Sequence, residues 1–160
     1  MNFRTGSGFD VHKICPGKGI YLGGVFLESD ISLVGHSDAD VLIHAICDAI
    51  YGSLAQADIG FHFPDTLDEN RGRASGEFLK HAVQMLAEMD YKISNLDTTI
   101  LCEKPKISPH RNAIRENLAI IMNLSLDQIS VKATTTEKLG FTGRGEGIAA
   151  MANIIVFKKN

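Results

Sequence analysis

A chain of 160 residues, 44% hydrophobic and 22% charged, has the size and balance of one packed domain over 1–160, and can bury roughly two-thirds of its unfolded surface without disulfide staples. A formal net charge of −3 speaks against bulk binding of nucleic acid, and no apolar run nears the ~20 residues of a membrane span. Cys15, Cys47 and Cys102 are odd in number and form no CxxC, which, with no signal-peptide pattern at the start, predicts reduced thiols in a cytoplasmic protein.

In chain order, residues 3–9 read as an extended strand ending at Asp10-Val11-His12. Pro16-Gly17 marks a turn within 14–19. Short strands over 20–22 and 25–27 flank Gly23-Gly24, a predicted bulge or sharp bend. Residues 35–51 read as a turn feeding a helix. Ser37 is a good N-cap with Asp40 three places on, Asp38 suits the helix dipole, and Gly52 offers a stop. Val41, Leu42, Ile43, Ala45, Ile46, Ala49 and Ile50 fill a broad apolar arc, which predicts burial. Inside that arc Asp40, His44 and Asp48 step by four along one polar stripe, and a charged stripe on a buried helix needs partners.

Residues 58–73 hold Gly60, Pro64, Asp65 and Gly72 and read as a loop. An amphipathic helix over 74–89 turns Phe78, Leu79, Ala82, Val83, Leu86 and Met89 inward. A strand over 93–101 follows, then a helix over 109–122 with Pro109 in its first turn. A short strand over 130–133, a polar glycine-rich loop over 134–147 and a closing strand over 148–157 complete the chain. This order predicts an α/β (α+β) domain, a mixed sheet with helices packed on one face. The closing strand is apolar on both faces, so the face left bare by helices predicts subunit association.

Three stretches carry candidate chemistry. Asp10 and His12 stand two apart, on the same side of a strand; with His44 they form a His-His-Asp set, and three such ligands with one position open is the pattern of catalytic zinc. Taken singly, Asp10-Val11-His12 reads better as a solvated strand end and His44 as a hydrogen-bonded core histidine, and spacing alone leaves open whether the pieces meet. Gly140 to Gly147, with Phe141 and Arg144 among its glycines, could wrap a phosphate or be a turn with glycines at positive φ. It is neither a P-loop nor a dinucleotide fingerprint, because no Gly-Lys-Ser/Thr follows and a strand stands where a helix should. Before it, Thr134-Thr135-Thr136-Glu137-Lys138 suits phosphate and Mg²⁺ or is an ordinary β-edge threonine run. Pro105-Lys106 offers a rigid turn with a cation, or a plain surface loop.

Taken together, Gly8-Phe9-Asp10-Val11-His12, Leu22-Gly23-Gly24, Gly35-His36-Ser37-Asp38-Ala39-Asp40-Val41 with His44, Asp58-Ile59-Gly60, Phe63-Pro64-Asp65 and Val131 to Phe141 resemble the 2-C-methyl-D-erythritol 2,4-cyclodiphosphate synthase family over nearly the whole chain. The resemblance implies a cytoplasmic lyase of the non-mevalonate isoprenoid route. Its reaction takes 4-diphosphocytidyl-2-C-methyl-D-erythritol 2-phosphate to the cyclic diphosphate and CMP. It implies Zn²⁺ on Asp10, His12 and His44, Mg²⁺ or Mn²⁺ on Glu137, and transition-state stabilisation by His36 and Thr135. Ser37 would hold a phosphate. Asp58, Ile59 and Gly60, with Phe63, Pro64, Asp65, Thr66 and Leu67, would face the sugar side. Cys102, Glu103, Lys104, Pro105, Lys106, Ile107 and Ser108 would cradle the cytidine and its phosphates with Ala133, Thr134, Thr135 and Thr136, and Phe141 and Arg144 would complete the pocket. It further implies a homotrimer, the sheets facing its axis, with sites between subunits. Three positions depart from the family pattern: Cys102 replaces a common alanine, 14–19 is an unlike loop, and Met151 stands where some members carry an acid. Two rival readings use the same residues: a zinc phosphohydrolase with Asp40 or Asp65 as base, and a non-catalytic trimeric binding module.

Overall fold

Glycines at 6 and 8 decide how the layers meet. In the computed structural model, which describes residues 2–64, 66 and 72–159, β1 spans Phe3–Pro16 and helix α1 spans Val41–Leu54. A Cβ on Gly6 would fall 1.8 Å from the Ala49 carbonyl oxygen, and one on Gly8 would fall 1.9 Å from that of Ala45. Backbone therefore rests on backbone, as only glycine against alanine permits.

Around this contact the chain adds β2 (Gly19–Leu22), β3 (Val25–Glu28), β4 (Ile31–Leu33), α2 (Ile59–His62), α3 (Ser75–Glu88) and β5 (Tyr91–Leu101). Then come α4 (Arg111–Met122), β6 (Ile129–Thr134), α5 (Gly140–Gly143) and β7 (Gly147–Lys158). The main sheet has the order β4-β1-β7-β5-β6, and β2-β3 pair separately. β7 lies antiparallel between β1 and β5, while β5 and β6 run parallel. The predicted mixed sheet with helices on one face is what forms. Its core lies between that face and α1, α3 and α4, from Leu42, Ile46 and Ile50 to Leu79, Ile114, Leu118, Ile100 and Ile154. Each such Leu or Ile removed from water stabilises the fold by about 1.5–3 kcal/mol.

Several boundaries differ from the sequence reading. β1 does not end at His12; it continues to Pro16 because β4, too short to show a period, pairs with it through Ile14, Cys15 and Pro16. The cap of α1 is Asp40, not Ser37, and its carboxylate accepts the N–H of Ile43 at 3.0 Å. It also accepts the N–H groups of Gly23 and Gly24, at 3.0 and 2.6 Å, so the turn of the β2-β3 hairpin chooses the cap. Gly52 does not stop the helix, which ends two residues later where Ala55 turns left-handed at φ 57. The stretches read as loops hold α2, capped by Asp58, and α5. Along β7 burial alternates: Ala150, Ala152, Ile154 and Val156 are buried while Met151 and Ile155 are exposed.

Candidate metal centre and active site

Strand alternation points Gly8, Asp10 and His12 to the helix side of β1, and the close approach at Gly8 brings in the turn of α1 that carries His44. Asp10 Oδ2 lies 3.1 Å from His12 Nε2 and 3.1 Å from His44 Nδ1. The two imidazole nitrogens are themselves 3.1 Å apart. A tetrahedral ion with bonds of about 2.0–2.1 Å spaces its ligands roughly 3.3 Å apart, so the triangle is of metal-binding size. Among the described residues it is the one group of three or more His, Cys, Asp or Glu side chains whose donor atoms lie together in this way.

The outer contacts decide what those atoms offer. His12 Nδ1 donates to the Val34 carbonyl at 2.8 Å, leaving Nε2 as a lone pair in the neutral ring. His44 Nε2 meets Ser75 Oγ at 2.9 Å and Ser37 Oγ at 3.2 Å. The Ser75 hydroxyl donates to Asp38 Oδ1, and its N–H donates to Asp38 Oδ2 at 3.0 Å. Ser75 is therefore the acceptor for His44, whose Nδ1 faces the triangle as a second lone pair. Two lone pairs and a carboxylate converge with no hydrogen between them, an arrangement that a cation or an added proton must relieve. Burial would raise the Asp10 carboxyl and lower the His12 ring. Their mutual hydrogen bond and charge win in both cases, holding Asp10 well below the carboxylate range and His12 above its ordinary value.

The triangle opens into a cavity of about 510 Å³ whose walls include His36, Ser37, Ile59, Gly60, Phe63 and Phe78. His36 and Ser37 thus line the same cavity as the triangle, and Ser37 also holds the N–H of Ala39 at 3.2 Å. Asp58 and Gly60 are exposed at the start of α2, and Thr66 is exposed in a turn. Asp65 and Leu67 lie outside the described residues. The polar stripe on α1 finds its partners: Asp40 in the three backbone amides, His44 in the triangle, Asp48 in the N–H of Ile59 at 2.8 Å. Asp40 is wholly buried with its oxygens already occupied, so it has no access to a water and cannot be a hydrolytic base. Val34, Asp38 and Ser75 escaped sequence reasoning as supports of the histidines. Ser75 opens α3, but Asp38 lies two residues before the Asp40 cap and not in the first turn of α1, and nothing local pairs the two across 37 positions.

The cytidine-side candidates gather elsewhere. The parallel strands β5 and β6 end side by side at Leu101 and Thr134, and the Cys102 N–H donates to the Thr134 carbonyl at 3.1 Å. The 102–108 and 134–138 segments therefore leave the same edge, the usual place for a ligand crevice. Cys102 and Ile107 are buried, with the Cys102 thiol pushed up to about 11 by burial and by Glu103. Lys104, Lys106, Ser108, Thr134 and Thr135 are exposed. Pro105 is half-buried and follows a cis peptide; Glu103 accepts the Lys138 N–H at 3.3 Å. Thr135 Oγ1 donates to Glu137 at 3.1 Å, and Thr136 shares a 2.8 Å bond with Thr142. Glu137 and Lys138 hold left-handed φ of 52 and 64, a conformation non-glycine residues adopt rarely. Arg144 pairs with Glu146 at 2.8 Å, and Phe141 is exposed on α5. None of these residues lines the cavity at the triangle.

The profile of the YgbB family matches residues 3–157. The chain belongs to the YgbB family. A protein of Roseobacter denitrificans named 2-C-methyl-D-erythritol 2,4-cyclodiphosphate synthase is 55% identical over 95% of this chain and 96% of its own. The bifunctional enzyme IspD/IspF of Erythrobacter litoralis is 53% identical over 98% of this chain. The chain spans 41% of that relative's length, and 40% of a second bifunctional relative's. Among solved structures, the Plasmodium falciparum IspF CDP complex matches with a TM-score of 0.88 at 37% identity, over 99% of this chain and 98% of that one. The bifunctional IspDF of Campylobacter jejuni reaches a TM-score of 0.95 at 37% identity, over 99% of this chain and 43% of that one. Relatives that match over nearly their whole length thus carry the name of cyclodiphosphate synthases. No helix among the described residues is long and apolar enough to cross a membrane.

Proposed function

We propose that this chain converts 4-diphosphocytidyl-2-C-methyl-D-erythritol 2-phosphate to 2-C-methyl-D-erythritol 2,4-cyclodiphosphate and CMP. The observation that carries the reading is the triangle of three electron-pair donors, 3.1 Å on each edge, opening on a cavity. An oxygen of the 2-phosphate bonds to the β-phosphorus as the β-phosphorus–oxygen bond to CMP breaks, and that electron pair leaves on CMP. Both reacting groups belong to one molecule, so alignment against the walls is worth about 7–11 kcal/mol. Asp10, His12 and His44 would hold Zn²⁺ and Glu137 would hold Mg²⁺ or Mn²⁺. Bound there, the cations supply Lewis-acid neutralisation of phosphates that repel each other, which a chain of net charge −3 cannot supply in bulk.

In this reading His36 and Thr135 donate to charge developing at the transferred phosphoryl group. Ser37 holds a phosphate oxygen. Asp58, Ile59, Gly60, Phe63, Pro64, Asp65, Thr66 and Leu67 enclose the sugar. Cys102 to Ser108 with Thr134 to Thr136, closed by Phe141 and Arg144, take the cytidine and its phosphates. The outer sheet face exposes Phe3, Phe9, Val11, Met151 and Ile155, an apolar strip that a trimer would cover. In that trimer the triangle of one copy faces the cytidine-side residues of the next. A cytoplasmic setting agrees with the three free thiols.

Phosphorus NMR of the purified protein with the diphosphocytidyl substrate in ¹⁸O-water, with and without chelator, tests the reading. The expected outcome is a cyclic diphosphate and CMP, no ¹⁸O in either, and no reaction with chelator. A linear, ¹⁸O-labelled product would make the protein a hydrolase instead.

A further inference from the structure

His44, Asp48 and Tyr51 stand on one face of α1, four and then three residues apart. His44 reaches the triangle; the other two reach α2. Asp48 Oδ1 accepts the N–H of Ile59, the first residue of α2, at 2.8 Å. The buried ring of Tyr51 stacks on His62, the last residue of α2, with centroids 4.1 Å apart and planes at 23°. The Tyr51 hydroxyl bonds His81 Nδ1 of α3 at 2.8 Å, and His81 stands edge-on to Phe63 at 5.0 Å. His62 Nε2 donates to the Gln56 carbonyl at 2.7 Å.

α2 has four residues, none of them buried, and one turn of helix does not hold itself together. Its place comes from these end contacts and from Ile59 and Phe63, which pack half-buried against the core. Yet Ile59 and Gly60, with Phe63 just beyond, line the same cavity as His12 and His44. One helix thus carries a ligand of the triangle and the anchors of the facing wall.

We infer that Asp48 and the Tyr51–His62 stack are positioning residues: they clamp the two ends of α2 and set the gap between the triangle and the Ile59–Gly60 wall. Their effect on turnover rests on the cyclisation reading, in which the substrate must fold within that gap. A misplacement of about 1 Å in such a wall costs about 10²-fold in rate. The Asp48 acceptor matters here, more than its charge, because its recorded bond is to an amide.

The test uses the full chain loaded with Zn²⁺, as Asp48→Ala, Asp48→Asn and His62→Ala. Metal content, thermal unfolding, amide hydrogen exchange over 59–63 and the kcat and KM for cyclic product are measured. Asp48→Ala is expected to keep its metal and speed Ile59 exchange by about tenfold or more. Its kcat should fall about 10–100-fold with KM within about threefold. Asp48→Asn retains an acceptor oxygen and should restore both protection and most of kcat. His62→Ala should speed exchange at the far end of α2 with a smaller loss of kcat. Wild-type turnover and exchange in Asp48→Ala, an Asn variant as impaired as the Ala variant, or metal lost in step with activity would each overturn the inference. If the wild-type chain forms no cyclic product the reaction reading fails by itself. Ile59 exchange then still decides whether Asp48 clamps α2.

Discussion

At the triangle both imidazoles are aimed by further contacts inside one chain: Val34 behind His12, Ser75 and Asp38 behind His44, and both rings against Asp10. At the β5-β6 edge, Lys104, Lys106, Thr134, Thr135, Glu137 and Arg144 lie exposed; the bonds between side chains there, Thr135 to Glu137 and Arg144 to Glu146, join near neighbours in sequence, while backbone N–H groups reach across it from Cys102 to Thr134 and from Lys138 to Glu103. Polar groups taken out of water must be paired, which fixes their geometry; groups left in water need not be. The first region has its donor atoms fixed by the fold; the second leaves its side chains in water.

The largest effect expected is at the first region. His44→Ala should abolish metal binding and turnover together while circular dichroism stays native, beyond the about 10–100-fold that losing an outer partner costs. A His44→Ala protein with wild-type turnover would remove the triangle from the chemistry. The contrast itself is tested by mixing. His44→Ala and Lys106→Ala chains, each inactive alone, should regain part of the activity when unfolded and reassembled together, because some sites then pair an intact triangle with an intact Lys106. No recovery in verified mixed oligomers would place both halves in one chain.

Ser75→Ala should weaken metal binding about 10–100-fold without unfolding, read by chelator competition, because His44 loses the acceptor that selects its tautomer. The acid dependence is next. His12 titrates above 6.5 in the folded chain and Asp10 well below 3.8. In metal-free protein the histidine contribution is complete below 6.5 and lost as pH rises through the raised value. The carboxylate contribution is present above 3.8 and lost only in stronger acid. A cation must displace the proton on His12, so the rise in unfolding temperature on adding Zn²⁺ should grow from mildly acid to mildly alkaline pH; a flat response would contradict the geometry. The smallest effect belongs to the exposed edge: Glu137→Ala should keep its zinc and its fold but need more Mg²⁺ for half-maximal turnover.

Much of the local structure is legible in the sequence. The inward face of α3 through Phe78, Leu79, Ala82 and Leu86, the partial alternation of β5 and the side shared by Asp10 and His12 all follow from periods of 3.6 and 2, whereas β7, read as apolar on both faces, alternates in burial only once folded. The stripe of Asp40, His44 and Asp48 was visible as a demand for partners. Who answers that demand was not. The cap is Asp40 and not Ser37, its carboxylate held as well by the amides of Gly23 and Gly24, 17 and 16 residues away. β4 was missed because three residues have no period, and α2 because its anchors lie on another helix.

Residue types and spacings alone therefore determined the layers, the apolar faces and the short inventory of side chains able to bind a cation or a phosphate, since a backbone period is written within a few neighbouring positions. The tertiary structure decided that Asp10, His12 and His44 meet, that Ser75 and Asp38 orient His44, and that Asp40 is walled off from water. Those outcomes depend on how closely α1 settles onto Gly6 and Gly8, a distance set by packing between segments some 40 residues apart.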